Sequence, residues 1–371
     1  MRVLHTADWH IGKKLAGYDL QEDQAAVFEQ LVAVAKRESV DAIIIAGDLY
    51  DRALANEDAV AMVNAQLTRL NRELGYPLLV IAGNHDSAVR LSTGRAWYGA
   101  TQLYLNCQLA EAFTPVVLGD TQFFLLPYFE PVAARQYFDD DSLTNINLAM
   151  HRVSAAMQAQ FDPAKKHVLV AHFFAADSQR SASETQVNVG GLDAVAVADL
   201  RAFDYVALGH LHNRHALRDA TIQYAGSLLK FSTSEVAQEK GVYILDTETM
   251  TRKFVALPPR HEVQHLTASF AALTDPAQYA AYDRDAYTAI TLTDLAVIPN
   301  VMAALRQVFP RVISLDRESH VTLDTAADQV DTHLAPMPML ADFYAQVTGR
   351  TLSETQQAWA AAALSQVKEA E

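Results

Sequence analysis

The sequence predicts an α/β fold, a sheet covered by helices, followed by a smaller α+β unit and a pair of C-terminal helices. Three observations carry this prediction. The first part of the chain alternates short, uniformly apolar runs with longer segments of helical spacing. The pattern shifts at Pro258-Pro259, beyond which a modest mix of one strand and one helix can be read. It changes again at Pro336, where two helical stripes close the chain. The expected boundaries are therefore 1–258, 259–335 and 336–371.

Taken in order, residues 3–6 read as a strand ending at Asp8. Residues 20–39 carry Val27, Leu31, Val34 and Ala35 on one helical face. Residues 41–46 are a continuous apolar strand ending at Gly47-Asp48. Asn56 is an expected N-cap for a helix through Leu74, with Val60, Val63, Leu67 and Leu70 recurring at helical intervals. Gly75-Tyr76-Pro77 breaks that helix, and residues 78–82 form the next strand, ending at Gly83-Asn84. Further strands are expected at 121–126, 167–171, 205–208, 242–245 and 287–292, with a helix at 301–308. The polar stretch 178–186 reads as a loop that either lines a site or makes an ordinary surface excursion, the second being favoured. In the tail, Leu340, Phe343, Tyr344 and Val347 form one stripe, and Gly349 fits a C-terminal stop. Thr351 to Glu354 reads as a capping box opening a last helix through about Lys368.

Half of the 371 residues are hydrophobic, enough for a sizeable core and against wholesale disorder. Twenty-nine Lys and Arg against 44 Asp and Glu leave a net charge of −15, which argues against a general basic coat for nucleic acid. A local basic groove remains compatible with that balance. Cys107 is the only cysteine, so an intrachain disulfide and a thiolate metal cage are both excluded. With no signal-peptide pattern and no apolar stretch long enough to span a bilayer, a cytoplasmic location is expected.

The chemistry sits in five short clusters, each closing an apolar run: Asp8-Trp9-His10, Gly47-Asp48, Gly83-Asn84-His85-Asp86, Ala171-His172 and Gly209-His210-Leu211-His212. A lone strand-end aspartate is usually a turn or cap residue, and a lone histidine usually structural. Their joint occurrence at successive strand ends overturns those readings, because ligands gather at the carboxyl ends of strands in α/β sheets. Mixed nitrogen and oxygen donors without sulfur suit Mn²⁺, Fe²⁺ or Zn²⁺. The expected ligands are Asp8, His10, Asp48, Asn84, His172, His210 and His212. Asp48 is the choice for a bridging carboxylate, since it stands alone on its strand end. Two metals side by side would clamp a phosphate and acidify a water. His85 is the expected catalytic residue, protonating the leaving oxygen or stabilising charge on the phosphate. Asp86 is a candidate to orient a histidine, and Asp51 stays open between function and turn. His5 reads as core, and His151, His167 and His215 as structural or surface residues.

The order DxH, GD, GNHD, a later His and GHxH resembles the calcineurin-like metallophosphoesterase superfamily, which implies a β-sandwich flanked by helices. HTADWHIG, GDLYDR, GNHDS, ALGHLH and AGSLLKFSTSE (225–235) are similar to the double-strand-break-repair nucleases, in particular their bacterial SbcCD branch. That resemblance implies two Mn²⁺ ions, one held by Asp8, His10, Asp48 and His212, the other by Asp48, Asn84, His172 and His210. It also implies cleavage of DNA ends and hairpins, a small domain capping the active site, and C-terminal helices that grip the coiled coil of an ATPase partner, SbcC. Trp359, Leu364, Val367, Phe343 and Tyr344 are candidates for that gripping face. The family's homodimer contact would fall on residues 56–74 and 90–98. Lys13, Lys14, Arg52, Arg90 and Arg95 lie near the motifs as candidate phosphate contacts. The competing reading is a metal-dependent phosphodiesterase or phosphatase on another substrate, because a fold alone does not choose one.

Overall fold

A computed structural model describes the chain apart from residues 177, 180, 185–193, 295, 319–334 and 370–371. Two sheets pack face to face. The first runs, in spatial order, Thr251–Ala256, Gly241–Asp246, Arg2–Thr6, Ala42–Ala46, Leu78–Ile81 and Leu103–Asn106. Its last four strands are parallel, and Gly241–Asp246 pairs antiparallel with both neighbours. The second runs Ile222–Tyr224, Tyr205–Gly209, Lys166–His172, Thr121–Leu126 and Val116–Leu118, parallel except for the last.

The strand Ala42–Ala46 shows why these runs are apolar without alternation. Ala42, Ile44 and Ala46 face the second sheet, among Phe123, Leu125, Val168, Val170 and Tyr205. Ile43 and Ile45 face the opposite way, onto Val27, Leu31 and Val63 of the helices Gln21–Arg37 and Glu57–Thr68. Each buried isoleucine contributes about 1.5–3 kcal/mol relative to exposure. The helix Ile146–Gln158 covers the outer face of the second sheet through Ala149, Met150, Val153 and Met157. Each sheet therefore has helices on its outer face only, and the inner faces cover one another. Periodicity reports burial of both faces but not whether a helix or a second sheet supplies the cover.

Asn56 caps as expected, its side chain accepting from the Ala59 N–H at 2.8 Å. The helix that follows is regular only through Thr68, and a π-helical turn, Arg69–Glu73, completes it. Beyond Pro258-Pro259, the parallel strands Val263–Ala268, Tyr287–Leu292 and Val312–Arg317 form a third sheet. Leu266, Leu273, Ile290, Leu305 and Phe309 give it a core of its own. It is tied to the sandwich at Asp23, which accepts from Tyr287 Oη at 3.0 Å and from His261 Nδ1 at 2.8 Å.

In the tail, the helix Pro336–Thr348 ends at Gly349, whose φ of 65° and N–H bond to Ala345 O make it the expected left-handed stop. The last helix is Glu354–Glu369. Its capping box is Ser353 with Gln356, not the expected Thr351 with Glu354. Ser353 Oγ accepts from the Gln356 N–H at 3.3 Å and Gln356 Oε1 from the Ser353 N–H at 2.9 Å. A hydroxyl two residues closer to the first helical turn reaches the orphan amide better. The side chains of Val347 and Val367 lie outside the described set. Among the described residues no helix is long and apolar enough to cross a membrane.

Candidate metal centre

The parallel strands of both sheets deliver their carboxyl ends to one end of the sandwich, and the five clusters follow those ends. The loops are stitched together first by backbone. Asp8 N–H donates to Gly47 O at 3.1 Å, and His10 N–H to Asp48 O at 3.0 Å. His172 Nδ1–H donates across the sheets to Ala46 O at 2.8 Å. So close an approach leaves no room for side chains at two glycines. A Cβ on Gly83 would overlap Asp48 Oδ1, and one on Gly209 would overlap Ala46 O and crowd His172. The cost appears in the backbone: Asp8, His10, Asp48 and His210 all adopt positive φ, at 52°, 44°, 53° and 92°. Such conformations persist only where the surroundings over-determine them, and they cluster at functional sites.

The seven expected ligands come together. Asp48 is held by one oxygen and offered by the other. Its Oδ1 accepts the His85 N–H at 2.9 Å. Its Oδ2 lies 3.3 Å from His172 Nε2 and 3.6 Å from His10 Nε2. Asn84 Oδ1 lies 2.9 Å from His172 Nε2 and 3.0 Å from His210 Nδ1. On the other side His10 Nε2 and His212 Nε2 face each other at 3.1 Å. Asp8 fills the space between: its Oδ1 accepts the His210 N–H at 2.9 Å, while Oδ2 is buried with no hydrogen-bond partner. Asp8, His10 and His212 form one convergent donor group, and Asp8, Asp48 and His172 a second.

These atoms face one another as acceptors. Because His172 gives its Nδ1 hydrogen to Ala46, the Nε2 of its neutral ring points a lone pair at Asn84 Oδ1 and Asp48 Oδ2. Lone pairs so opposed repel unless a proton or a cation lies among them. The protonation balance carries the same message. Burial opposes a charged His172 ring, but the Asp48 and Asp8 carboxylates prevail and raise its pKa to about 9. Burial also works against ionised Asp48, yet His172 and His10 hold it well below the usual carboxylate range. Burial lifts Asp8 to about 6 against the pull of His172 and His212. The cavity thus attracts positive charge, and its oxygen and imidazole donors fit divalent metal ions.

His85 stands beside this set. Its Nδ1 donates to Asp51 O at 2.7 Å, and its ring lies edge-on to His10 with centroids 4.8 Å apart. Asp51 itself joins His10 and His85 in a third convergent group, and its carboxylate binds Lys13 Nζ at 2.7 Å. Asp86 does not orient a histidine as expected. It accepts from the backbone N–H groups of Gly83, Leu49 and Tyr50 at 2.9, 3.2 and 3.0 Å, pinning two clusters together. A carboxylate one residue past His85 lies beneath the loops, where unpaired amides are the nearest donors. His5 is buried, 3.3 Å from Tyr205 Oη, and His167 stacks on Phe161.

The segment 178–186, where the sequence favours a surface excursion over a site lining, lines the site where it is described. Ser183 Oγ is 2.7 Å from His212 Nδ1, and Glu184 Oε1 accepts the His212 N–H at 2.7 Å. Beneath them lie Glu235 and Lys240, both buried. Sequence reading misses these residues because they sit far from the clusters along the chain. For Glu235 a signal exists, since it closes the stretch 225–235 that resembles the nuclease family.

A sandwich with this donor set at its carboxyl end defines a class, and sequence comparison agrees with it. A family model described as calcineurin-like phosphoesterase matches residues 1–214, so the chain belongs to that family of dinuclear-metal phosphoesterases. A second model, described as the type 5 capsule protein repressor C-terminal domain, matches residues 259–348. The SbcD nuclease of the SbcCD complex from Staphylococcus epidermidis is 32% identical over 367 residues, 96% of each chain. Within the phosphoesterases, the chain belongs to the SbcD nucleases. Among solved structures, a phosphoesterase, Yfce, from E. coli matches 70% of this chain and 100% of its own, with a TM-score of 0.30 and 12% identity. A dimetal phosphatase from Danio rerio matches 70% of this chain and 96% of its own, with a TM-score of 0.43 and 12% identity.

Proposed function

We propose that the chain is the Mn²⁺-dependent nuclease subunit of an SbcCD-type complex, cutting DNA ends and hairpins beside an SbcC ATPase in the cytoplasm. One metal would be held by Asp8, His10, Asp48 and His212, and the other by Asp48, Asn84, His172 and His210. The observation that carries this reading is the placement of Asp48. A single carboxylate oxygen faces an imidazole nitrogen from each group, while a backbone N–H clamps its partner oxygen. When bound, the metal pair supplies charge neutralisation at the phosphate and an acidified water.

The chain's own residues do the rest. His85 is fixed in one tautomer by the Asp51 carbonyl, so its Nε2 is the position at which a proton is exchanged with the leaving oxygen or the phosphate is stabilised. Buried ligands on a strained backbone keep the donor atoms in place before substrate arrives. We further propose a division into a nuclease domain at 1–258, a capping domain at 259–335 and an SbcC-binding tail at 336–371. The third sheet with its separate core, and the exposed Phe343 and Trp359 on the tail helices, support it.

Mn²⁺-dependent cleavage of a hairpin DNA tests the proposal. Wild type should cleave, and His85→Ala should lose about 10²- to 10⁴-fold in kcat, the usual worth of a positioned acid or base. Equal cleavage by both proteins would remove His85 from the reaction. Hydrolysis of small phosphodiesters without any cleavage of DNA would favour the competing phosphodiesterase reading.

A further inference from the structure

Beneath His212 lies a buried polar chain that the cluster motifs do not contain. His212 Nδ1 is 2.7 Å from Ser183 Oγ, and the Ser183 hydroxyl in turn donates to Glu235 Oε1. Glu235 is fully buried and forms an ion pair with Lys240 Nζ at 2.6 Å. Lys240 shares its two remaining hydrogens among His212 O at 2.8 Å, Ser227 Oγ at 2.9 Å and Gln238 Oε1 at 2.8 Å. Both ends of the chain are therefore anchored on the same histidine, through its ring and through its carbonyl.

The direction of the chain follows from donor counting. Glu235, paired with an ammonium, has only acceptor oxygens. Ser181 Oγ, 3.1 Å from Ser183 Oγ, gives its own hydrogen to Glu184, and the single hydrogen of Ser183 goes to its closest acceptor, Glu235, so Ser183 accepts from His212. His212 Nδ1 is then the protonated nitrogen, and Nε2 must carry the lone pair that faces His10 Nε2 at 3.1 Å. The same loop is strapped down by Glu184, which accepts the His212 N–H, and by Ala182 N–H donating to Ser234 Oγ at 3.2 Å.

We propose that Ser183, Glu235 and Lys240 are positioning residues that fix the tautomer and aim of His212, so that docking of the 181–184 loop completes one of the two metal positions. The inference rests on the two-metal reading above. Histidines that bind metals are regularly held by such outer partners, whose loss weakens affinity by about 10- to 100-fold.

Calorimetric titration of the full chain with Mn²⁺, without DNA, tests it. Wild type should bind two ions. Ser183→Ala should weaken one of them by about 10- to 100-fold and leave the other unchanged, with an unaltered thermal unfolding midpoint. Ser183→Thr, which keeps the hydroxyl, should restore both. Glu235→Gln should weaken the same ion, and combining it with Ser183→Ala should add little, because the two act in one chain. Glu235→Gln strands the buried Lys240 and can lower stability, so Ser183→Ala and its Thr rescue carry the decision. Two wild-type-like affinities in Ser183→Ala, or equal weakening by Ala and Thr, would overturn the relay. Failure of wild type to bind two ions would instead overturn the two-metal reading beneath it.

Discussion

At the scale of single residues, the centre is a set of acceptors held at close quarters by bonds to backbone. Asp48 is clamped by the His85 N–H, Asp8 by the His210 N–H and His172 by the Ala46 carbonyl. Each clamp removes rotational freedom and aims the remaining atom inward, which is what a preorganised cation site requires. The proton that Asp48 attracts to His172, with its pKa near 9, must leave before a metal can take its place. On the proposed ligand set, metal binding and protonation compete at His172, and raising the pH favours the metal until the ring has lost its proton. Apparent Mn²⁺ affinity should accordingly rise by about tenfold per pH unit between pH 6 and 8 for each proton displaced. A titration series in which affinity does not change over that range would contradict this protonation balance.

Among elements, the ends of strands are legible from sequence because an apolar run and the polar cluster that closes it are contiguous. Asp8, Asp48, Asn84, His172 and His210 can be placed at strand ends for that reason alone. Short strands such as Ile222–Tyr224 and Val116–Leu118 cannot, since three residues carry no period. Ser183, Glu235 and Lys240 escape because their meaning lies in partners distant along the chain, and a polar segment looks the same whether it meets solvent or a histidine. The tail shows the opposite case. Both helices follow from their stripes and from Gly349, and only the capping pair moves, to Ser353 and Gln356. Gln356 Nε2 joins them by donating to Tyr344 Oη at 3.0 Å, while Phe343 and Trp359 stay 56% and 70% exposed. Large apolar side chains so uncovered suit the docking of a partner helix. Removing residues from Pro336 onward should leave Mn²⁺ binding intact and abolish co-purification with SbcC. Co-purification that survives the truncation would move the partner interface elsewhere.

For the molecule as a whole, two sheets cover one another and leave one shared end, where strands from both arrive together. That geometry lets residues as distant in sequence as Asp8 and His210 be bonded through one carboxylate. The net charge of −15 argues against a general basic coat for nucleic acid over the molecule as a whole. The third sheet and the tail are additions to this catalytic body, joined to it by the Asp23, Tyr287 and His261 bonds in the case of the sheet. The central claim is that the acceptor cluster is a pair of metal positions sharing Asp48. Anomalous diffraction from crystals soaked in Mn²⁺ measures this directly. Two peaks, one on each side of the Asp48 carboxylate, are predicted, the first among Asp8, His10 and His212 and the second among Asn84, His172 and His210. A single peak, or peaks that leave Asp48 uncoordinated, would contradict it.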